Sequence, residues 1–234
     1  MVDAKAQAAP MLGRKHRTRL ISAVAIGLAA LALVGCRPSS PMPRTNERPV
    51  VAPDSFRVAV ETTRGRFDAV AHRAWAPLGV DRFYDLVRRH YYDDARFFRV
   101  VSGFVAQFGL SGNPRVSEAW RSRPIADEPV RESNRRGRIA FARGGPNTRT
   151  TQLYINLRDN TRLDTLGGFG FPPIAEVVSG MQVVDSLHAG YGEGPPRGRG
   201  PAQDSIRATG NDYLRRSFPR LDFIRRARVV REWR

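Results

Sequence analysis

Two stretches of this 234-residue chain carry side chains that could do chemistry together. The first is the apolar run Phe97-Phe98-Arg99-Val100-Val101-Ser102-Gly103-Phe104-Val105-Ala106-Gln107. The second runs from Ala142 and Arg143 through a glycine-rich turn to Gln152-Leu153-Tyr154-Ile155-Asn156. Arg99 is the informative residue: a guanidinium between Phe98 and Val100 needs a partner or a cleft, because burying a charge alone is costly. Read by type alone, Phe104 and Tyr154 serve equally well as core aromatics, and Gln107 and Gln152 as polar residues at a strand edge. No nucleophile or metal set competes for attention. His16, His72, His90 and His188 are dispersed without ligand spacing, and Cys36 is the only cysteine.

Elements that could position these residues begin near Asp54. Phe56, Val58, Val60 and Thr62 alternate with Arg57, Ala59 and Glu61, which predicts a strand with one buried face. Thr63-Arg64-Gly65 predicts a turn, and Phe67, Ala69 and Ala71 a second strand. Val80, Phe83, Tyr84 and Val87 then recur at helical spacing after Pro77, whose missing N–H suits a first helical turn. Further strands are expected at 97–104, 139–142, 153–157 and 174–178, with a short helix at 181–187. Gly190-Tyr191-Gly192-Glu193-Gly194 and Gly198-Arg199-Gly200 lack the strand–turn–helix setting of a phosphate loop and read as flexible linker. The large apolar residues between 195 and 234, such as Phe218 and Trp233, argue that a basic C-terminal extension packs back on the domain.

The two stretches together resemble the active-site signature of the cyclophilins, peptidyl-prolyl cis/trans isomerases, and the likeness extends over roughly Phe56 to Leu187. It implies a mainly β fold: a closed eight-stranded antiparallel barrel capped by two helices, here with the C-terminal extension. It implies that Arg99 is the catalytic arginine, acting with Gln107 and Phe104. Phe104, Val105, Tyr154 and Leu163 would wall the substrate proline, and Gln107 and Gln152 would orient Arg99 and bind substrate backbone. Ala142 and Arg143 would line the adjoining groove, and Phe171 would bind substrate in the groove. No cofactor or metal is expected. Several positions depart from the family pattern. Val105 replaces a methionine, Arg162 an aromatic and Phe171 a histidine, the last after a two-residue insertion in the 165–169 loop. Without the aromatic at 162, cyclosporin should bind weakly. A non-catalytic peptide-binding or chaperone protein on the same fold is the alternative reading.

The N-terminus predicts export. Arg14, Lys15, Arg17 and Arg19 precede an apolar run from Leu20 to Gly35 that is shorter than the ~20 residues of a spanning helix, as in a secretory signal. Leu33-Val34-Gly35-Cys36 resembles a bacterial lipobox, with Cys36 as the lipidated residue. The expected organisation is a signal at 1–35, a proline-rich tether at 36–53, the isomerase domain at 54–190 and the extension at 191–234. The protein is then a monomer on the outer side of a membrane, anchored through Cys36, acting on proline-containing segments of exported proteins. The net charge of +17 does not argue for nucleic acid. Its arginines are scattered, without the basic stripe and interleaved aromatics of such a surface.

Overall fold

The computed structural model describes residues 41–43 and 49–234. The expected signal, Cys36 and most of the tether lie outside the described residues. Eight antiparallel strands form one sheet: β1 (Ser55–Thr62), β2 (Gly65–His72), β3 (Arg99–Val101), β4 (Val105–Phe108), β5 (Arg138–Phe141), β6 (Leu153–Asn156), β7 (Pro173–Ser179) and β8 (Ile224–Trp233). Among the described residues five α-helices accompany them: α1 (Pro77–Arg88), α2 (Pro114–Arg121), α3 (Met181–Asp185), α4 (Gln203–Thr209) and α5 (Asn211–Ser217). α1 packs against β7 and β8, and α3 against β2.

The strand order is β3-β4-β6-β5-β7-β2-β1-β8. β3 and β8 are therefore edges, and the hydrogen-bond ladder does not run round the closed barrel that the resemblance implies. β3, three residues long, pairs with β4 along one edge, and the ten residues of β8 pair with β1 along one edge. The edges meet only ahead of the two strands, where Arg96 and Phe223 form a bridge. There the Phe97 N–H donates to the Asp222 carbonyl (2.9 Å), and the Ile224 N–H to that of Ala95 (2.9 Å).

The run 97–104, expected as one strand, is the start of a hairpin. Gly103 turns the chain at φ +65°, and β4 returns alongside β3. Phe97 enters the main core, while Phe98 joins a second cluster with Leu110, Ile206, Leu214, Phe218 and Leu221. The C-terminal residues thus supply one edge of the sheet and most of a second apolar cluster.

Helix α1 buries the stripe that its spacing predicts: Val80, Phe83, Tyr84 and Val87 face the core beside Phe56. Its start carries no side-chain cap from its own N-cap residue. Instead, Glu128 accepts the backbone N–H groups of Leu78 (2.6 Å) and Gly79 (3.0 Å), satisfying donors that a helix start leaves orphaned. At the far end of the sheet Asp222 ties the returning chain to the first turn. It accepts from the Thr63 hydroxyl (2.6 Å), Arg64 Nε (2.9 Å) and the His188 amide (2.7 Å). Burial alone would push the Asp222 carboxyl up. The hydrogen bonds from Thr63, His188 and Arg64, with the charge of Arg64, carry it below the usual aspartate range.

A folded value below the unfolded one means that this group stabilises the fold above its unfolded pKa and loses that contribution as pH falls through the folded one. Asp222→Asn is expected to cost on the order of 2 kcal/mol at pH 7. Urea denaturation at neutral and acid pH checks it: the gap between variant and parent should shrink as the parent's Asp222 is protonated.

Candidate active site

Register alone sets one row of side chains on a common face. Arg99 lies opposite Gln107, Gln107 opposite Tyr154, and Tyr154 opposite Ala140, across β3, β4, β6 and β5. Directly opposed residues share a face, and Val105, two residues from Gln107, shares it as well. Val105, Ala140, Tyr154 and Leu163 form a buried apolar cluster, with Phe104, Ala142 and Phe171 packed on it. Leu163 comes from the 3₁₀ turn Thr161–Asp164, and its carbonyl accepts the Phe171 N–H at 2.9 Å, which draws Phe171 to the Tyr154 ring at 6.0 Å.

A polar chain runs beside this apolar floor. Arg99 Nη1 donates to Gln107 Oε1 (3.1 Å), and Gln107 Nε2 donates to Gln152 Oε1 (3.0 Å). Phe104, at the hairpin turn, has the guanidinium of Arg99 over its ring at 5.4 Å and that of Arg162 at 5.3 Å. A cleft of about 890 Å³ opens above Arg99, Phe104, Val105, Tyr154, Leu163 and Phe171. A second cleft of about 440 Å³ adjoins it, sharing Gln107, Ala142 and Arg143 and reaching Gln152. Every site residue expected within the described chain therefore lines one of the two clefts.

Arg143 lines both, but its guanidinium is committed. It bonds Asp127 (2.9 Å) and the Gly170 carbonyl (2.6 Å), and it lies over the rings of Phe169 and Phe171. With its side chain only 5 % exposed, it ties the end of the 165–170 loop to the groove wall.

The family model described as cyclophilin type peptidyl-prolyl cis-trans isomerase/CLD matches residues 57–210. The chain belongs to this family. It is 37 % identical over 118 residues to peptidyl-prolyl cis-trans isomerase B of Escherichia coli (strain K12), covering 48 % of this chain and 71 % of that protein. It is 34 % identical over 149 residues to peptidyl-prolyl cis-trans isomerase cyp18 of Streptomyces antibioticus, covering 60 % and 87 %. The fold is similar to that of a cyclophilin-type isomerase from Cryptosporidium parvum, with TM-score 0.56, 17 % identity, and coverage of 76 % and 99 %. The chain is thus an enzyme of the cyclophilin type, a peptidyl-prolyl isomerase.

Two residues of this cyclophilin's site escape sequence reasoning. Asn134, fully buried, accepts the Tyr154 hydroxyl (2.8 Å) and donates to Asp164 (2.8 Å) and the Phe171 carbonyl (2.8 Å). It thereby fixes the floor and one wall of the apolar cleft. Burial pushes the Tyr154 hydroxyl well above its ordinary range, so that it stays a donor to Asn134. Asn134→Ala leaves several buried polar groups unpaired and is expected to cost about 3 kcal/mol. Thermal melting checks the stability loss. Weakened binding of proline peptides to the remaining folded protein checks the role in the pocket.

The second is Glu193, whose carboxylate meets Arg99. The available signal was that it is the lone acid between Asp185 and Asp204, set among glycines.

Proposed function

We propose that the chain accelerates rotation about Xaa–Pro bonds by binding the twisted amide, with Arg99 donating to the prolyl nitrogen, and that its substrates are exported proteins. The observation that carries the reading is the hydrogen-bonded chain Arg99–Gln107–Gln152 alongside the apolar floor of Val105, Tyr154, Leu163 and Phe171.

Amide resonance puts a barrier of ~18–20 kcal/mol on the rotation. As the bond twists, the nitrogen lone pair localises and becomes a hydrogen-bond acceptor, which it is not in either planar form. A donor aimed at that atom therefore favours the transition state over both ground states, which is what acceleration requires. Arginine suits the task because it stays charged and presents several N–H groups in a fixed plane. Gln107 holds that plane from one side, and Gln152 holds Gln107. Val105, Tyr154, Leu163 and Phe171 keep the ring in place by apolar contact, leaving the preceding carbonyl to swing. The groove beyond, with Ala142 and Gln152, takes the peptide on the other side of the bond. Valine at 105 contacts the ring over less area than a longer side chain would.

No group in this scheme changes charge near neutrality, so kcat/KM is expected to be flat across the range where histidine ordinarily titrates. A pH profile on an Xaa–Pro peptide checks this. Turnover of the peptide tests the reading itself. Acceleration supports it, whereas binding without exchange would leave a peptide-binding module.

The export half rests on the basic cluster, the apolar run and Leu33-Val34-Gly35-Cys36. A lipid on Cys36 would hold the domain on the outer side of a membrane, as a monomer, where exported chains fold. Fatty-acid labelling in a bacterial host tests it. The parent should carry label and Cys36→Ser should not; an unlabelled parent would remove the anchor.

A further inference from the structure

The arrangement around Arg99 contains one partner that the scheme above does not use. Arg99 Nε donates to Glu193 Oε2 at 2.8 Å and Nη2 to Oε1 at 2.6 Å, a two-point pairing along one edge of the guanidinium. Both side chains are largely enclosed, 17 % and 26 % exposed. The hydrogen bond from Arg99 holds the Glu193 carboxyl below the usual glutamate range, so it is ionised at neutral pH.

The segment that presents Glu193 is built rather than slack, contrary to the linker that its glycines suggest. The Gly200 N–H donates to the Glu193 carbonyl at 2.8 Å, and the Gly198 N–H to that of Gly194 at 3.1 Å. A Cβ at Gly198 would stand 2.2 Å from the Glu193 carbonyl oxygen, and one at Gly200 would stand 2.7 Å from that of Tyr191. Backbone folded this tightly admits only glycine at both positions. On the other side of Glu193, Tyr191 is wedged edge-on between His188 and Phe218. The carboxylate is thus anchored from both flanks.

A guanidinium has five N–H groups. Glu193 takes two and Gln107 one, which leaves one on each terminal nitrogen. The carboxylate therefore restricts the arginine without exhausting its donors. A free arginine side chain has many rotamers, and ordering it during the reaction would slow the step.

We propose that Glu193 is a positioning residue for the isomerisation, clamping Arg99 so that its two remaining N–H groups are set for the prolyl nitrogen before substrate arrives. The proposal rests on the reading of Arg99 given above. It also assigns a task to the C-terminal segment, which brings Glu193 to the cleft 94 residues after Arg99.

The test compares the full chain with Glu193→Ala, Glu193→Gln and Arg99→Ala in two measurements: cis/trans exchange and affinity for one Xaa–Pro peptide. Glu193→Ala is expected to lower kcat about tenfold with peptide affinity unchanged. Glu193→Gln, which keeps one acceptor oxygen, should recover part of that loss. A slot that merely supports the fold would instead move affinity and melting temperature together. Should Glu193→Ala fail to fold, Glu193→Gln carries the same comparison. Unchanged turnover in the Glu193 variants, with Arg99→Ala inactive, would overturn the clamp alone. Tighter binding and faster turnover without the carboxylate would overturn it by making Glu193 a competitor of substrate. Full activity in Arg99→Ala would remove the reading on which the clamp rests.

Discussion

Arg99→Ala is expected to lower kcat/KM for an Xaa–Pro peptide by about 10²–10³-fold, the loss seen when one preorganised donor to a reacting centre is removed. The fold should survive. Arg99 opens a three-residue strand whose ladder to β4 is made by the backbone, and Gln107 keeps its bond to Gln152. The carboxylate left behind at Glu193 is 26 % exposed and can take water in place of the guanidinium. Peptide binding should fall less than turnover, since the apolar floor of Val105, Tyr154, Leu163 and Phe171 is untouched. A protease-coupled isomerisation assay with circular dichroism on both proteins checks the two halves of this result.

The largest stability loss should come from a different arginine. Arg149 has a fully buried side chain that donates to the Ala126 carbonyl and, at 2.9 Å, to Glu128. Glu128 also caps the start of α1 through Leu78 and Gly79. One guanidinium thus joins the 149 loop, the 125–128 segment and the first turn of a core helix. Arg149→Ala would leave a buried carboxylate without its cation and a void around it. Breaking a buried pair from one side costs about 3–5 kcal/mol, a large part of the 5–15 kcal/mol that holds an ordinary domain together. The urea midpoint should fall accordingly. Because Arg149 lines neither cleft, turnover by the fraction that remains folded should stay close to the parent's.

The elements read most easily from sequence were those with a regular apolar period. α1 shows an uninterrupted helical stripe, and large apolar residues alternate along β1 before a short turn, although Ala59 and Val70 are buried on the face expected to be exposed. The hairpin of β3 and β4 hid inside one apolar run, because Ser102 and Gly103 turn the chain without a stretch of polar residues. β8 was concealed differently. It is an edge strand with two bulges, and Arg225, Arg226, Arg228 and Arg231 interrupt any period of two. α2 buries only Val116, Ser117 and Trp120, too few positions to mark a helix by spacing.

The site divides along the same lines. Arg99, Gln107 and Tyr154 could be grouped because neighbouring strands bring them into one row, and the resemblance supplied their order along the chain. Asn134 and Glu193 act across long separations from coil, where no periodicity announces them. The glycines around Glu193 pointed towards a linker, since composition cannot distinguish a glycine chosen for freedom from one chosen for close packing.

Whether Arg99 drives rotation over an apolar proline pocket is read most directly by exchange spectroscopy on one Xaa–Pro peptide. Parent and Arg99→Ala are each added to the peptide, and both binding and cis/trans exchange are read from the same spectra. If Arg99 drives rotation, the parent gives exchange and the variant holds the peptide without accelerating its exchange. Undiminished exchange on Arg99→Ala would contradict that role.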